Sequence, residues 1–537
     1  LGLSVTPVAS TALAATAPAR SNEAERILAS APSAESYGRH LLYLTEEPHL
    51  SGTARNYAVA EYVRDRFREY GLDEVSYHEF PALLSFPKSA SLAIRQPVEQ
   101  VFNLIEDPHP ADKDTKLYDD PTQVAYHGYA PPGHVRAEVV YANGGSPEDF
   151  QRLDRMGIDL KGKIVLMRYS NPYSYRGYKV YEAERRGAAG TIIYSDPAED
   201  GSRQGTVYPD GPWGPESHIQ WGAILYDWLG QGEPFTFHWQ RQPDGRWTEG
   251  PVRDKQLPRI PSMPLNERNA AAILKHLGGP VAPDDWQGGM PITYRIGPGP
   301  VTLEMNVVNE ERVEPMRSVI GVIRGREEPE KLVILGNHHD AWIYGAVDPS
   351  SGTAAILEVA RALGEAAKRG HRPRRTIVFT VWDGEESLLG GSTQWALDNA
   401  ENLRRNAVTY INVDTGVSGG DFAGGATPAL AAFLRDVTKS VKDPLADRPL
   451  YDAWAAQSET GVPDVATIVG ATDYTAFQEY LGVSCIDMYF DGPYGVYHSM
   501  YDNYFRQSTI VDPGFKVGTG LSQLWGVLAW RLADTQV

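Results

Sequence analysis

The sequence predicts an α/β protein: a mostly parallel sheet with helices on both faces, interrupted by an inserted β-rich domain. Three observations predict it. From Ser318 onward, continuous apolar runs (KLVILG, RRTIVFTVW, AVTYINVD, VATIVG and VSCIDMYF) alternate with amphipathic segments such as SSGTAAILEVARALGEAAKR, the texture of buried parallel strands joined by crossover helices. From about Ser91 to Thr302 the texture is instead short strands rich in Pro and Gly. And 537 residues exceed what one ordinary core absorbs, so two or three domains are expected.

The elements follow in chain order. Residues 1–21 are small and apolar with Ala-x-Ala spacings, like the remnant of a secretory signal, which predicts export to a periplasm or the extracellular space. The stretch from Glu35 to Gly71 reads as two amphipathic helices broken around Pro48 and Gly52. LDEVSYHEFPALLSFP then reads as strand. Within the insert, GKIVLMRYSNPYSYRGYKVYEAERRGAAGTIIYSD has the pattern of one α/β unit. The apolar last helix, LSQLWGVLAWRLADTQV, would be left with an exposed face if a neighbouring domain is missing.

Composition narrows the function. With 50 basic and 69 acidic residues the net charge is −19, spread without long single-sign runs, which argues against a nucleic-acid groove. A single cysteine, Cys485, inside an apolar run, excludes an internal disulfide framework and a cysteine-ligated zinc site. No run after the N-terminal tail approaches the ~20 apolar residues of a membrane helix.

Ligands on parallel sheets sit beyond the carboxyl ends of the strands, and several acids and histidines fall there. After KLVILG come His338, Asp340 and Asp348; after RRTIVFTVW come Glu385 and Glu386; AVTYINV ends at Asp414; and the loop beyond VSCIDMYF carries His498. Any one of these acids alone could be a helix cap or a solvated loop charge. Together, two imidazoles and three carboxylates without thiolate form a nitrogen and oxygen set suited to zinc, and to two ions rather than one. Asp348, opening the helix near Pro349, is assigned as the bridge, and Asp340 as an acceptor that orients His338. Two adjacent like charges need distinct tasks, so Glu386 is assigned as a ligand and Glu385 as the base for a water. His339 and His371 are read as partly exposed loop histidines.

These residues also carry a family resemblance. GNHHDAWIYGAVDPSSG, RPRRTIVFTVWDGEESLLGGSTQWA, YINVD and YHSMYDNY resemble the motifs of the di-zinc exopeptidases related to glutamate carboxypeptidase II, and the likeness spans roughly residues 25 to 515. The resemblance implies His338, Asp348, Glu386, Asp414 and His498 as ligands of two zinc ions, Glu385 as general acid and base, and peptides as substrates. It implies a zinc-exopeptidase domain from residues 22–92 and 303–537, an inserted protease-associated domain from 93–302, and a homodimer in full-length members. The family's C-terminal helical domain is expected to be absent. Arg176 matches the arginine that holds a substrate's free α-carboxylate, and Tyr497 a tyrosine at the same end, which favours removal of C-terminal residues.

Departures accompany the likeness. Asp487 and Tyr489 stand where the carboxypeptidase has an arginine cluster, so an acidic penultimate residue is not expected to be preferred. Gln394 and Leu397 stand where calcium-binding acids would lie, so no structural calcium is expected. An aminopeptidase on the same domain, with Asp487 holding the free amine, and a transferrin-receptor-like binding protein without turnover are the alternatives.

Overall fold

The computed structural model describes residues 23–115, 124–169, 175–226, 228, 232, 239–241, 247–249, 256–470 and 472–535. The signal-like tail lies outside the described residues. Among the described residues, thirteen strands join in one sheet that runs through the insert and the rest of the chain. In the C-terminal part, Glu328–His338 lies between Arg375–Trp382 and Ala407–Asn412, and Ala407–Asn412 is followed by Cys485–Asp491, all in parallel. These are the predicted apolar runs. Arg375–Trp382 is buried throughout and the carboxyl-terminal half of Glu328–His338 is buried as well, as central strands covered on both faces must be.

Sequence reasoning misjudged two strands. VATIVG contributes only the two-residue strand Val465–Ala466, and between it and Cys485–Asp491 sits Asp421–Ala426, antiparallel to the latter. DFAGGA was unreadable as strand because it is rich in Gly and Ala, and its pairing comes from its neighbours.

A long antiparallel ribbon joins the two halves. Glu74–Gln96 pairs with Thr302–Ile323 from Glu74 opposite Val322 to Gln96 opposite Thr302. Its near end, at Val319 and Ile323, enters the main core, while Leu92, Ile94, Leu303 and Met305 enter the core of the insert. The expected boundary near residue 93 thus falls inside a continuous strand.

The Ser350–Lys368 helix is buried along most of its length against the sheet and against the Lys516–Asp534 helix, which also packs on the sheet. That last helix corrects the expectation of an exposed apolar face. Leu521, Leu524, Trp525, Leu528 and Trp530 are buried in the main core, against helices that include Glu23–Ser30, which the sequence reading did not identify.

Candidate metal centre and cavity

Four strand ends deliver the predicted side chains to one place. His338 is the last residue of the central Glu328–His338 strand. Asp348 ends the loop before the Ser350–Lys368 helix, Glu385 and Glu386 follow Arg375–Trp382, Asp414 follows Ala407–Asn412, and His498 lies in the loop after Cys485–Asp491. Two triads result: His338, Asp348 and Asp414, and Asp348, Glu386 and His498, with the ligand atoms of each lying within 4.8 Å of one another. Asp348 belongs to both. Its Oδ1 is 3.3 Å from His338 Nε2 and its Oδ2 is 3.1 Å from His498 Nε2. Asp414 Oδ1 approaches His338 Nε2 at 3.0 Å, and Glu386 Oε1 approaches His498 Nε2 at 3.1 Å.

The donor set fits cations. Asp348 Oδ1 and Glu386 Oε1 are buried yet accept no hydrogen bond, which is costly unless something positive meets them. Burial pushes the Glu386 carboxyl up to about 7, although His498 pulls it down. Burial, with repulsion from Asp414, also holds Glu385 well above the ordinary carboxylate range, against the pull of His338. At Asp348 burial is outweighed by the neighbouring imidazoles of His338 and His498, which keep it below that range.

Side chains behind the ligands fix them. The Asp340 carbonyl accepts from His338 Nδ1 at 3.0 Å, while its carboxylate Oδ1 is 3.5 Å from that nitrogen. The carboxylate makes closer contacts with the backbone N–H groups of Glu385 and Glu386, at 3.1 and 3.2 Å. The expected role of the Asp340 carboxylate therefore shifts: the carbonyl is the nearer acceptor for the imidazole, and the carboxylate caps the turn that presents both glutamates. Trp342 and Asp502 escaped sequence reasoning. Trp342 Nε1 donates to Glu386 Oε2 at 2.6 Å, leaving Oε1 to face His498. The Asp502 carboxylate accepts from the backbone of Val347 and Asp348 and, at 2.7 Å, from Tyr494 OH. Both residues lie inside the quoted motifs, but one tryptophan and one aspartate carry no periodicity that would set them apart.

His339 is a correction. It is buried, not partly exposed, because its side chain leaves the strand end on the face opposite His338. There its Nε2 lies 3.0 Å from the Arg317 carbonyl and its Nδ1 3.3 Å from Asn56 Nδ2.

A cavity of about 970 Å³ opens from these residues, lined by Glu385, Glu386 and His498 and by Arg176, Tyr497 and parts of the insert. Arg176 begins the Arg176–Glu184 helix and is only 7% exposed. Its guanidinium passes over Gly222, where a Cβ would come within 1.9 Å of Cζ, so only glycine leaves it room. Arg176 Nη2 donates to His498 Nδ1 at 2.9 Å, and its Nε is buried without a partner. The Tyr497 ring stacks on His498, with centroids 3.5 Å apart. Asp487 is held by Asn412 Nδ2 at 2.9 Å and is not among the described residues that line the cavity.

Residues 318–510 match Peptidase family M28, and residues 135–225 match the PA domain. The chain is 36% identical over 516 residues to a probable glutamate carboxypeptidase VP8 of Zea mays, covering 95% of this chain and 68% of that protein. It is 34% identical over 533 residues to aminopeptidase NAALADL1 of Rattus norvegicus, covering 92% and 70%. In fold it is similar to BSAP, a zinc aminopeptidase from Bacillus subtilis, with a TM-score of 0.58 and 15% identity over 94% of this chain and 96% of the other.

Proposed function

From the premise that this chain belongs to peptidase family M28, we propose that it is a two-zinc exopeptidase that removes C-terminal residues from small peptides. The observation that carries the two-ion reading is the sharing of Asp348, one oxygen to each triad. A zinc pair bound there would acidify a water and polarise the scissile carbonyl. His338 and Asp414 would hold one ion, Glu386 and His498 the other, with Asp348 between.

The remaining work falls to this chain's own groups. Glu385, set by the Asp340 cap, takes the proton of the attacking water and returns it to the leaving amine. Tyr497, stacked on His498, is placed to donate to the oxyanion. Arg176 supports the direction of cleavage. His498 Nδ1 accepts from Arg176 only while it lacks a proton; once Nε2 serves as a ligand, Nδ1 carries the proton and donates to the Trp221 carbonyl, 3.2 Å away. The guanidinium is then free for a carboxylate, which its planar fork matches in two hydrogen bonds.

An aminopeptidase is the second reading, favoured by the name of the rat relative. Mass-spectrometric product analysis separates the two. Zinc-loaded protein would be given peptides that are free, N-acetylated or C-amidated. Loss of single residues from free and acetylated peptides, abolished by amidation, is expected. Loss from free N-termini that survives amidation would overturn the carboxypeptidase assignment.

A further inference from the structure

His127 is fully buried and is not among the described residues that line the cavity. Its backbone belongs to a two-stranded parallel sheet, His127–Gly128 beside Gly222–Ala223, in which His127 stands opposite Gly222. That glycine is the one over which the Arg176 guanidinium passes. Two further bonds tie this strand pair to its surroundings. Asn309, on the long ribbon, donates from Nδ2 to the His127 carbonyl at 3.1 Å, and Trp221 N, just before the second strand, donates to the His498 carbonyl at 3.0 Å.

The imidazole stands inside a chain of hydrogen bonds whose direction follows from its last member. The Gln220 carbonyl can only accept, so the Tyr169 hydroxyl, 3.2 Å away, donates to it. His127 Nε2, 3.0 Å from the same hydroxyl, is then the donor, which leaves Nδ1 bare to accept from Ser262 Oγ at 2.8 Å. Ser262 in turn accepts from Thr191 Oγ1 at 2.7 Å. One neutral tautomer serves the whole chain, and burial, reinforced by the Arg176 charge, holds the imidazole well below its ordinary pKa. The hydroxyl fixed in this way belongs to a cavity-lining ring whose centroid is 5.9 Å from Arg176 Cζ. Burial raises the Tyr169 phenol above its ordinary value, and the charge and hydrogen bonding of Arg176 oppose the rise.

We propose that His127 is a positioning residue for carboxylate recognition: through the Tyr169 hydroxyl it locks the ring beside Arg176, and so aims the guanidinium fork at the substrate's α-carboxylate. The proposal rests on the carboxypeptidase reading above. A planar fork makes two parallel hydrogen bonds only over a narrow range of orientation, so a small tilt forfeits one of them. An arginine held in place before substrate arrives also loses less conformational freedom on binding. His127 therefore acts on substrate binding, whereas Glu385 acts on turnover.

The test uses the zinc-loaded chain and an N-acetyl tripeptide ending in leucine, both free and amidated. His127→Gln places an amide N–H near the position of Nε2 and keeps the bond to Tyr169, whereas His127→Asn reaches only the Ser262 side. KM for the free acid should stay within about twofold of wild type in His127→Gln and rise roughly tenfold in His127→Asn, with kcat and zinc content unchanged in both. Tyr169→Phe keeps the ring but removes the hydroxyl; it should raise KM by about the same factor and add nothing further when combined with His127→Asn. A histidine that merely supports the fold would give equal losses in His127→Gln and His127→Asn, seen in kcat, KM and urea midpoint together. That pattern, or an unchanged KM in Tyr169→Phe, would overturn the positioning role while leaving the carboxypeptidase reading intact. If the His127 variants do not fold, the Tyr169→Phe result decides. Cleavage of the amide by wild-type protein would overturn the carboxypeptidase reading and the positioning role with it.

Discussion

At the scale of single residues, the site divides into groups that would hold cations and groups that would move protons, and substitutions should separate them. Glu385→Gln keeps its backbone bond to Asp340 and removes only the base. Zinc content measured by mass spectrometry should stay at the wild-type level while kcat falls by about 10²–10⁴-fold. Asp348→Asn should lose both, because the side chain common to the two triads no longer carries charge for either; a variant that retains two zinc ions would rule out the bridge. Most of this constellation was legible in the sequence. A parallel sheet puts its strand ends on one rim, and His338 stands at such an end while Glu385, Glu386, Asp414 and His498 lie beyond one. What lay behind them was not. The Trp342 bond to Glu386 and the Asp502 bonds to Val347 and Asp348 join residues 44 and about 155 positions apart, and only the folded chain brings them together.

At the scale of elements, the Ser350–Lys368 helix contains a buried charge that its apolar pattern conceals. Glu358 is fully buried, accepts from Ser33 N at 2.8 Å and pairs with Arg361 at 2.6 Å and with His40. Burial alone would raise its carboxyl, yet hydrogen bonds led by His40 and Arg361 hold it down at about 2. A carboxyl depressed in the folded state stabilises above its unfolded value of about 4.5 and loses that contribution as pH falls towards 2. The shift corresponds to on the order of 3 kcal/mol. Glu358→Gln should therefore flatten the stability profile between pH 4.5 and 2, as read from urea midpoints, and lower stability at neutral pH. Glu106 has the opposite sign. Burial raises it to about 8, although its oxygens accept from Ile219 N and Met500 N. The folded chain keeps a proton that the unfolded chain releases, so this contribution is full below about pH 4.5 and is lost as pH rises through about 8. Urea midpoints should fall over that window, and less so in a Glu106→Leu variant of lower overall stability. Sequence periodicity located the helices from Glu35 to Gly71 and the long one after Asp348, because their apolar faces repeat. It could not locate Asp421–Ala426, whose small residues form a strand only because Cys485–Asp491 lies alongside.

At the scale of the whole molecule, the ribbon formed by Glu74–Gln96 and Thr302–Ile323 links the insert to the rest of the sheet, continuous apart from register shifts at Pro87–Ser89 and Ile94–Gln96. Native-state hydrogen exchange should find amides on either side of Leu92 equally protected; a sharp drop there would mean that the two halves open separately. Composition marked the insert correctly as a different texture, but texture describes side chains, whereas a ladder belongs to the backbone, and no change of residue type announces that a strand continues. This continuity sets a rule for transplantation. An insert carrying a different cavity wall cannot be exchanged at the bounds of the PA match, residues 135–225, without discarding the strand partners that aim it. A working chimera must cross over twice on one rung of the ladder, for example at Ala90 and Val307, which face each other, so that the donor module arrives with its hinge side already paired.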